Sequence, residues 1–442
     1  MMAAFMRLAW FSPLPPVRSG IAAYSADVLA ELRGDIAIDC FVDLPDRGES
    51  VYDAHDFVWR HRRAPYDLIV YQMGNAPCHD YMWAYLAAFP GLVVLHDARL
   101  HHARARALLS RGRAADYRAE FQFDHPDADR HFAEYAIEGL GGPIYSFWSM
   151  LRVAMVTARS VAVHNPRVAS DLRDEYPSVI VDTLRMGVRP SSTNPEAARR
   201  IRRQLSIPDE AVVFAAFGRM TAEKRLGPIL RAFQELVADG ENVYLVLIGD
   251  ASDYEALARE TAGLDRVRAT GHVEDADIGA YLDASDICLC LRWPTALETS
   301  ASWLHCLAAH RATVITDLAH LADIPAMAPQ SRIGVAAACP PVAMAIDLLD
   351  EHCSLRMAMQ RLATDRALRD ELAGNGHAYW RQQHTLEMMA NDYRQILRAA
   401  MARPAPVPTG LPTHITDDYA DAARRIAREF DAVVDILRDT AD

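Results

Sequence analysis

Nowhere in its 442 residues does the chain hold the ~18 consecutive apolar residues that a membrane-crossing helix requires, so no transmembrane helix is expected. Cysteine is scarce too. The seven are odd in number and scattered without paired spacing, which argues against a disulfide scaffold and for free thiols in a reducing cytosol. Cys288 and Cys290 alternate along an apolar run, as core residues rather than metal ligands do. Positive charge is in short supply: 46 Lys and Arg against 59 Asp and Glu leave a net −13, which argues against nucleic acid as the main partner. A signal peptide is not expected, because the apolar opening from Met1 to Phe11 is short and broken by Arg7; it reads as a first strand. No internal repeat stands out.

A metal is not expected. His96, Asp97, His101 and His102 cluster in sequence, but the last two belong to a following helix and no second convergent pair accompanies them. Asp127 with Asp129 and Asp275 with Asp277 mimic Asp-x-Asp metal sites. Both pairs lie in charged loop or helix-start sequence, so solvated caps are the better reading.

What the chain has is alternation. At 49.1 kDa and 51% hydrophobic residues it can fill two cores. Strand patterns at Leu8–Phe11, Ile36–Val42, Leu68–Tyr71, Leu92–Leu95 and Ser160–Val163 interleave with helical ones at Ala22–Leu32 and Asp80–Phe89. Helical patterns at Pro195–Leu205, Leu226–Ala238, Tyr254–Ala262 and Asp275–Ala284 then interleave with strands Val212–Phe217, Val243–Ile248, Val267–Thr270, Ile287–Leu291 and Thr313–Thr316. Such alternation predicts α/β architecture with parallel sheets. Residues 97–142, rich in His, Arg, Asp and Glu, break the rhythm and read as a helical insertion. Helices are expected from Val342 to about Ala400, then a stiff Pro404-x-Pro406-x-Pro408 spacer and a helical tail over Tyr419–Leu437.

Two segments carry chemistry. The apolar run Val212–Phe217 stops at Gly218 and delivers Arg219, Lys224 and Arg225 into the loop beyond. Ligands of open α/β sheets gather at such carboxyl ends, and cations there suit a diphosphate. The second segment runs from Arg292 through Glu298, Thr299 and Ser300, and opens a helix reaching about His310. Thr299 or Ser300 can cap that helix, whose free N–H groups favour an anion. A carboxylate beside an anion site makes sense when the ligand also carries hydroxyls. Together the two segments describe a nucleotide-sugar pocket.

These motifs resemble those of the retaining glycosyltransferases of family 4, two-Rossmann proteins of the GT-B architecture, over roughly residues 5–400. The matches are Phe11-Ser-Pro-Leu-Pro-Pro-Val-Arg-Ser-Gly20-Ile-Ala-Ala-Tyr24, Leu95-His96-Asp97, Gly218-Arg219 with Glu223-Lys224, and Glu298-Thr299-Ser300. The resemblance implies two Rossmann-like domains facing across a cleft: residues 1–187 on the acceptor side and 188–380 on the donor side. It also implies a helix over 381–402 crossing back to the first domain, followed by the tail, 403–442. Arg219 and Lys224 would hold the donor diphosphate, Glu298 the hydroxyls of the transferred sugar, and Gly20 would let backbone approach the diphosphate. His96 would line the reaction centre, and Gly271 would lie near the nucleobase.

One departure stands out. The family's second carboxylate, eight positions after Glu298, is here Cys306, a poor partner for ribose hydroxyls; the chain resembles a branch with Glu-Thr-Ser and no second Glu. The implied activity is a hexosyltransferase, EC 2.4, moving sugar from a UDP- or GDP-sugar to an acceptor hydroxyl without further cofactor, in polysaccharide or glycoconjugate synthesis. The acceptor is a glycan, a lipid-linked sugar or a small molecule. A GT-B phosphorylase or epimerase, or a non-catalytic partner subunit, are the alternatives. A cytoplasmic location is expected. Peripheral contact with the inner membrane face, through Arg99, Arg104, Arg106, Arg111 and Arg113, and self-association through the tail stay open.

Overall fold

The computed structural model describes residues 6–43, 50–142, 144–191, 194–251, 265–331 and 339–417, with Arg425, Ile426 and Glu429 of the tail. Among these, two seven-stranded parallel sheets form two lobes. The first comprises β1 (Arg7–Phe11), β2 (Ala37–Val42), β3 (Val51–Asp53), β4 (Leu68–Met73), β5 (Leu92–Leu95), β6 (Ser160–Val163) and β7 (Val181–Thr183). Its order is β3-β2-β1-β4-β5-β6-β7. The second comprises β8 (Val212–Phe217), β9 (Val243–Ile248), β10 (Val267–Ala269), β11 (Ile287–Cys290), β12 (Ala312–Thr316), β13 (Ala326–Met327) and β14 (Ala343–Ile346), ordered β10-β9-β8-β11-β12-β14-β13. The central strands are unbroken apolar runs because helices cover both faces; all six residues of β4 are buried. In each sheet the winding reverses at the first strand, beside β1–β4 and β8–β11, and the crevices that opens lie at the strands' carboxyl ends.

Several elements depart from the sequence expectation. β14 occupies Ala343–Ile346, where a helix was expected. A four-residue apolar run has no readable period, and the edge of β12 captures it as a strand. The short strands β3, β7 and β13 were not foreseen. The helix expected over Asp80–Phe89 is a 3₁₀ segment, Pro77–Met82, followed by a single turn, Trp83–Leu86. The expected helix Tyr254–Ala262 lies outside the described residues, as does the tail Tyr419–Leu437 except for three positions.

The insertion forms helices His101–Leu109, Ala114–Asp124 and His131–Ile137 around a small core that includes Leu108, Tyr117 and Phe121. Three arginines considered for lipid contact are engaged within the protein. Arg104 pairs with buried Glu120, Arg106 with Asp80 at 2.8 Å, and Arg113 with Asp116 at 2.6 Å. No helix among the described residues is long and apolar enough to cross a membrane.

The helix Leu386–Met401, capped by Thr385, whose Oγ1 accepts from Met388 N at 3.3 Å, crosses back onto the first lobe. It is anchored by a buried polar chain. Tyr393 Oη lies 2.8 Å from Tyr24 Oη, and Gln72 Nε2 donates to Tyr393 Oη at 3.0 Å. At the rim Arg185 pairs with Asp392 at 2.6 Å. Tyr393→Phe would strand the Tyr24 hydroxyl and the Gln72 amide in a dry core. The expected cost is ~1–3 kcal/mol, read as a lower denaturation midpoint with an unchanged m-value.

Candidate active site

The site grows from the carboxyl end of β8. Gly218 has φ +97°, and a Cβ there would meet Lys224 Nζ at 2.6 Å and Ser302 Oγ at 3.1 Å. Gly249, at φ +121°, faces it, since its own Cβ would lie 2.6 Å from the Gly218 carbonyl oxygen. Only glycine fits either place, and together they let the lysine fold back over the strand end, where Nζ donates to the Phe217 carbonyl. Lys224 is the only lysine in the chain. Among the described residues it forms no ion pair. Burial, then the nearby Arg292 guanidinium, pushes its ammonium down to about 8, against the pull of Cys290, Cys306 and Glu298. Gly218→Ala is expected to lower stability by ~1–3 kcal/mol through backbone strain and to displace Lys224. Thermal melting with and without nucleotide would read both effects.

The loop after β11 supplies the carboxylate. Glu298 Oε2 accepts from Thr295 Oγ1 and from Ala296 N, both at 2.9 Å, while Oε1 meets Arg292 Nε at 2.6 Å. Neighbouring Leu297 takes φ +62°, which turns the chain so that Glu298 folds back on its own loop. Ser300 caps the next helix, Ala301–Ala308, accepting from Trp303 N at 3.2 Å, and Thr299 Oγ1 is buried with no partner. That helix is shorter than expected because His310, at φ +59°, ends the turn. Cys306 is fully buried, its Sγ 3.9 Å from that of Cys290. Contacts with the Cys288 and Cys290 sulfurs, then burial, hold its thiol well above the ordinary range. It packs; it does not face a ligand.

The first lobe meets this loop directly: Ala98 N donates to Ala296 O at 2.8 Å. Asp97, one residue before, accepts from Asn75 N at 2.8 Å. Burial, then the Glu298 charge across the junction, pushes its carboxyl up to about 7, while Asn75 and Arg292 pull it down. Asp97, Arg292, Glu298 and Lys224 therefore form one electrostatic cluster drawn from both lobes. Neither Asp97 nor Arg292 is assigned a role by its sequence motif alone. The signal for Asp97 was its place after the strand β5.

The other expected site residues differ in setting. His96 is buried, its Nε2 2.8 Å from Gln72 Oε1 and its ring edge-on to Tyr24 at 4.6 Å, so it belongs to the chain that anchors the crossing helix. Arg219 extends outward with a 78% exposed side chain, 3.9 Å from Asp250. Arg225, at φ +59°, pairs with Glu351 at 2.5 Å. Gly20 opens the helix Gly20–Leu32 behind its Ser19 cap, with free space where a side chain would be. Gly271, at φ +68°, bridges to Gly249 and likewise borders open space. Among the described residues no group of three or more His, Cys, Asp or Glu is placed to hold a metal ion.

Residues 211–347 match the family model described as glycosyl transferases group 1. The match spans all seven strands of the second lobe, β8 to β14. The two-lobed fold agrees over nearly the whole chain with solved structures of low identity. Sucrose-phosphate synthase from Thermosynechococcus elongatus is 17% identical at a TM-score of 0.61, covering 90% of this chain and 99% of its own. A glycosyltransferase from Rickettsia africae is 11% identical at 0.62, covering 91% and 100%. Anabaena HepE, solved in complex with UDP and glucose, is 15% identical at 0.61, covering 89% and 100%. No curated protein sequence matches the chain. The architecture is that of GT-B glycosyltransferases.

Proposed function

We propose that the protein transfers a sugar from a UDP- or GDP-sugar to an acceptor hydroxyl, without a metal and with retention of configuration. The carrying observation is Lys224: a sole lysine, half-buried and in no ion pair among the described residues, at the end of a central strand and beside the Glu298–Arg292 pair. A diphosphate is the anion such a place accommodates. Its charge grows as the glycosidic bond breaks, so a fixed ammonium stabilises the leaving group where it counts most. Gly218 keeps the strand end open to phosphate, and Thr299 and Ser300 present the start of a capped helix to the same anion. Glu298, held by Thr295, Ala296 and Arg292, offers its remaining lone pairs to sugar hydroxyls. Arg219 and Gly271 are assigned the outer rim, toward phosphate and base, and Gly20 the facing loop of the first lobe. His96 acts from behind, through Gln72 and Tyr24.

In this reading residues 1–187 are the acceptor-side domain and 188–380 the donor domain. Retention and family 4 membership follow the motif resemblance, with the acceptor proton passing to an oxygen of the departing diphosphate. The complex of HepE with UDP supports the UDP arm of the donor choice.

Thermal melting with UDP, GDP and their sugar conjugates tests the reading. One nucleotide class should raise the melting temperature, by an amount corresponding to about 2.7 kcal/mol at a hundredfold excess over Kd. Silence across the whole set would sink it.

A further inference from the structure

Three of the seven cysteines meet at the carboxyl end of β11. Cys288 and Cys290 alternate along that strand, so their side chains share a face, and Cys306 packs against them from the helix Ala301–Ala308. The sulfurs of Cys290 and Cys306 are 3.9 Å apart, and none of the three is in a disulfide. They are not alike. Cys288 and Cys306 are buried in the core, whereas Cys290 is partly exposed and lines a cavity of ≈ 820 Å³ between the lobes, beside His164, Glu298 and Trp303.

Lys224 ties this cluster to the candidate site. Ser302 Oγ faces the end of β8, where a Cβ on Gly218 would meet it at 3.1 Å, and the Lys224 ammonium lies against the same point. Ser302 and Cys306 are one turn apart on one helix face. Both Cys290 and Cys306 act on the Lys224 charge. A partly exposed sulfur with an ammonium close by is a setting in which thiols oxidise, and a second sulfur already in contact turns that oxidation into a disulfide. Cys306 cannot start the reaction, because the Cys288 and Cys290 sulfurs, then burial, hold it protonated. It can only complete it.

We propose that Cys290 and Cys306 are a reversible modification site: a peroxide converts them to a disulfide, and that disulfide weakens nucleotide binding at Lys224. One peroxide oxygen first passes to the Cys290 sulfur, giving a sulfenic acid and a water. The Cys306 sulfur then attacks the Cys290 sulfur. The S–S bond forms as the S–O bond breaks, and the departing hydroxide takes the Cys306 proton as a second water. Two electrons pass from the thiol pair to the peroxide, and a dithiol reductant returns them. Bonded sulfurs lie closer than sulfurs in contact, so the helix Ala301–Ala308 is drawn toward β11, and with it Ser302 and the capped start at Ser300. Transient disulfides of this kind serve sensing in reducing compartments. The pairing stands on the sulfur geometry; only its effect on nucleotide binding rests on the transferase reading.

Peptide mapping and calorimetry on the full-length protein test the two parts separately. Hydrogen peroxide should join the peptides of Cys290 and Cys306 with the loss of two hydrogens, and dithiothreitol should release them. The exposed Cys339 and Cys353 report non-specific oxidation. Whichever of UDP and GDP binds the reduced protein should bind the oxidised one about tenfold more weakly. By linkage the same nucleotide favours the dithiol by the same factor, which moves the midpoint in a thiol–disulfide buffer to a less negative potential by ~30 mV. Cys290→Ala should bind nucleotide as the reduced wild type does, with or without peroxide; if it fails to fold, Cys306→Ala takes its place. Both thiols staying free while Cys339 and Cys353 oxidise overturns the pairing, as does a Cys288–Cys306 link or oxidation of Cys290 alone. A disulfide that leaves nucleotide affinity unchanged overturns the control of binding. A wild type that binds neither nucleotide removes the transferase reading and that control with it, while the peptide map still decides the pairing.

Discussion

Lys224→Ala is expected to abolish the melting response to the stabilising nucleotide and to lower kcat/KM for transfer by ~10²–10³-fold. Among the described residues no other cation is free to take its place. Arg292 is committed to Glu298 at 2.6 Å, Arg225 to Glu351, and Arg219 reaches outward to Asp250. Without the ammonium, the leaving diphosphate would face the carboxyls of Asp97 and Glu298 with only the helix start at Ser300 and the rim Arg219 to oppose them. The unliganded variant should melt at the wild-type temperature or above it, because a half-buried ammonium whose charge is opposed by desolvation and Arg292 adds little to folding. That combination separates function from structure: a strong fall in melting temperature with the nucleotide response retained would show that Lys224 only props up the loop. Lys224→Arg should rescue little, since the backbone at Gly218 leaves no room for a guanidinium where Nζ now rests. The sole lysine also gives a direct assay. With its ammonium down to about 8, Lys224 should react with an amine-acylating reagent near pH 8 and be protected by the correct nucleotide.

Strands β8 and β9 and the helix Leu226–Ala238 were legible to the residue. A buried parallel strand is one continuous apolar run, and that helix has an apolar stripe facing a sheet. β3, β7, β13 and β14 were not, because two to four residues carry no period and pair only when a neighbouring strand offers an edge. The strand end that carries Gly218 and Lys224 was readable for a related reason: glycine and cations directly after an apolar run mark a strand's carboxyl end. What could not be read was which side chain faces which lobe. His96 and His164 follow strands paired in register, Leu95 against Val163, and their rings lie 4.9 Å apart. Nothing local separates them. Only the distant partners Gln72 and Leu184 decide that one ring is spoken for and the other has a free nitrogen. Asp97 is the same case, its environment being set by Glu298 across the lobe junction.

Replacing Asp97 by Asn should open a stability difference from wild type that widens with pH. In the folded protein the carboxyl of Asp97 titrates at about 7, against 3.8 for an unperturbed group, because burial and Glu298 oppose its charge. The native state therefore holds the proton more tightly than the unfolded chain does. Below about pH 4 both states are protonated and the group is silent. As pH climbs toward 7 the unfolded chain ionises first and gains, so the wild-type fold loses stability, and above 7 the loss levels off. Asp97→Asn keeps the oxygen that accepts from Asn75 N and removes the charge. Its stability should stay flatter with pH and exceed that of wild type at pH 8 by ~1–3 kcal/mol, after allowance for water entering the junction. Urea unfolding from pH 4 to 8 measures the gap. The same pH dependence in wild type and Asp97→Asn would mean that Asp97 ionises as an ordinary surface carboxylate does, and the two-lobe cluster would lose its first-lobe member. A nucleotide bound at Lys224 adds negative charge beside the cluster, so it should push the Asp97 midpoint higher still, and NMR titration of a side-chain-labelled sample would follow that shift directly.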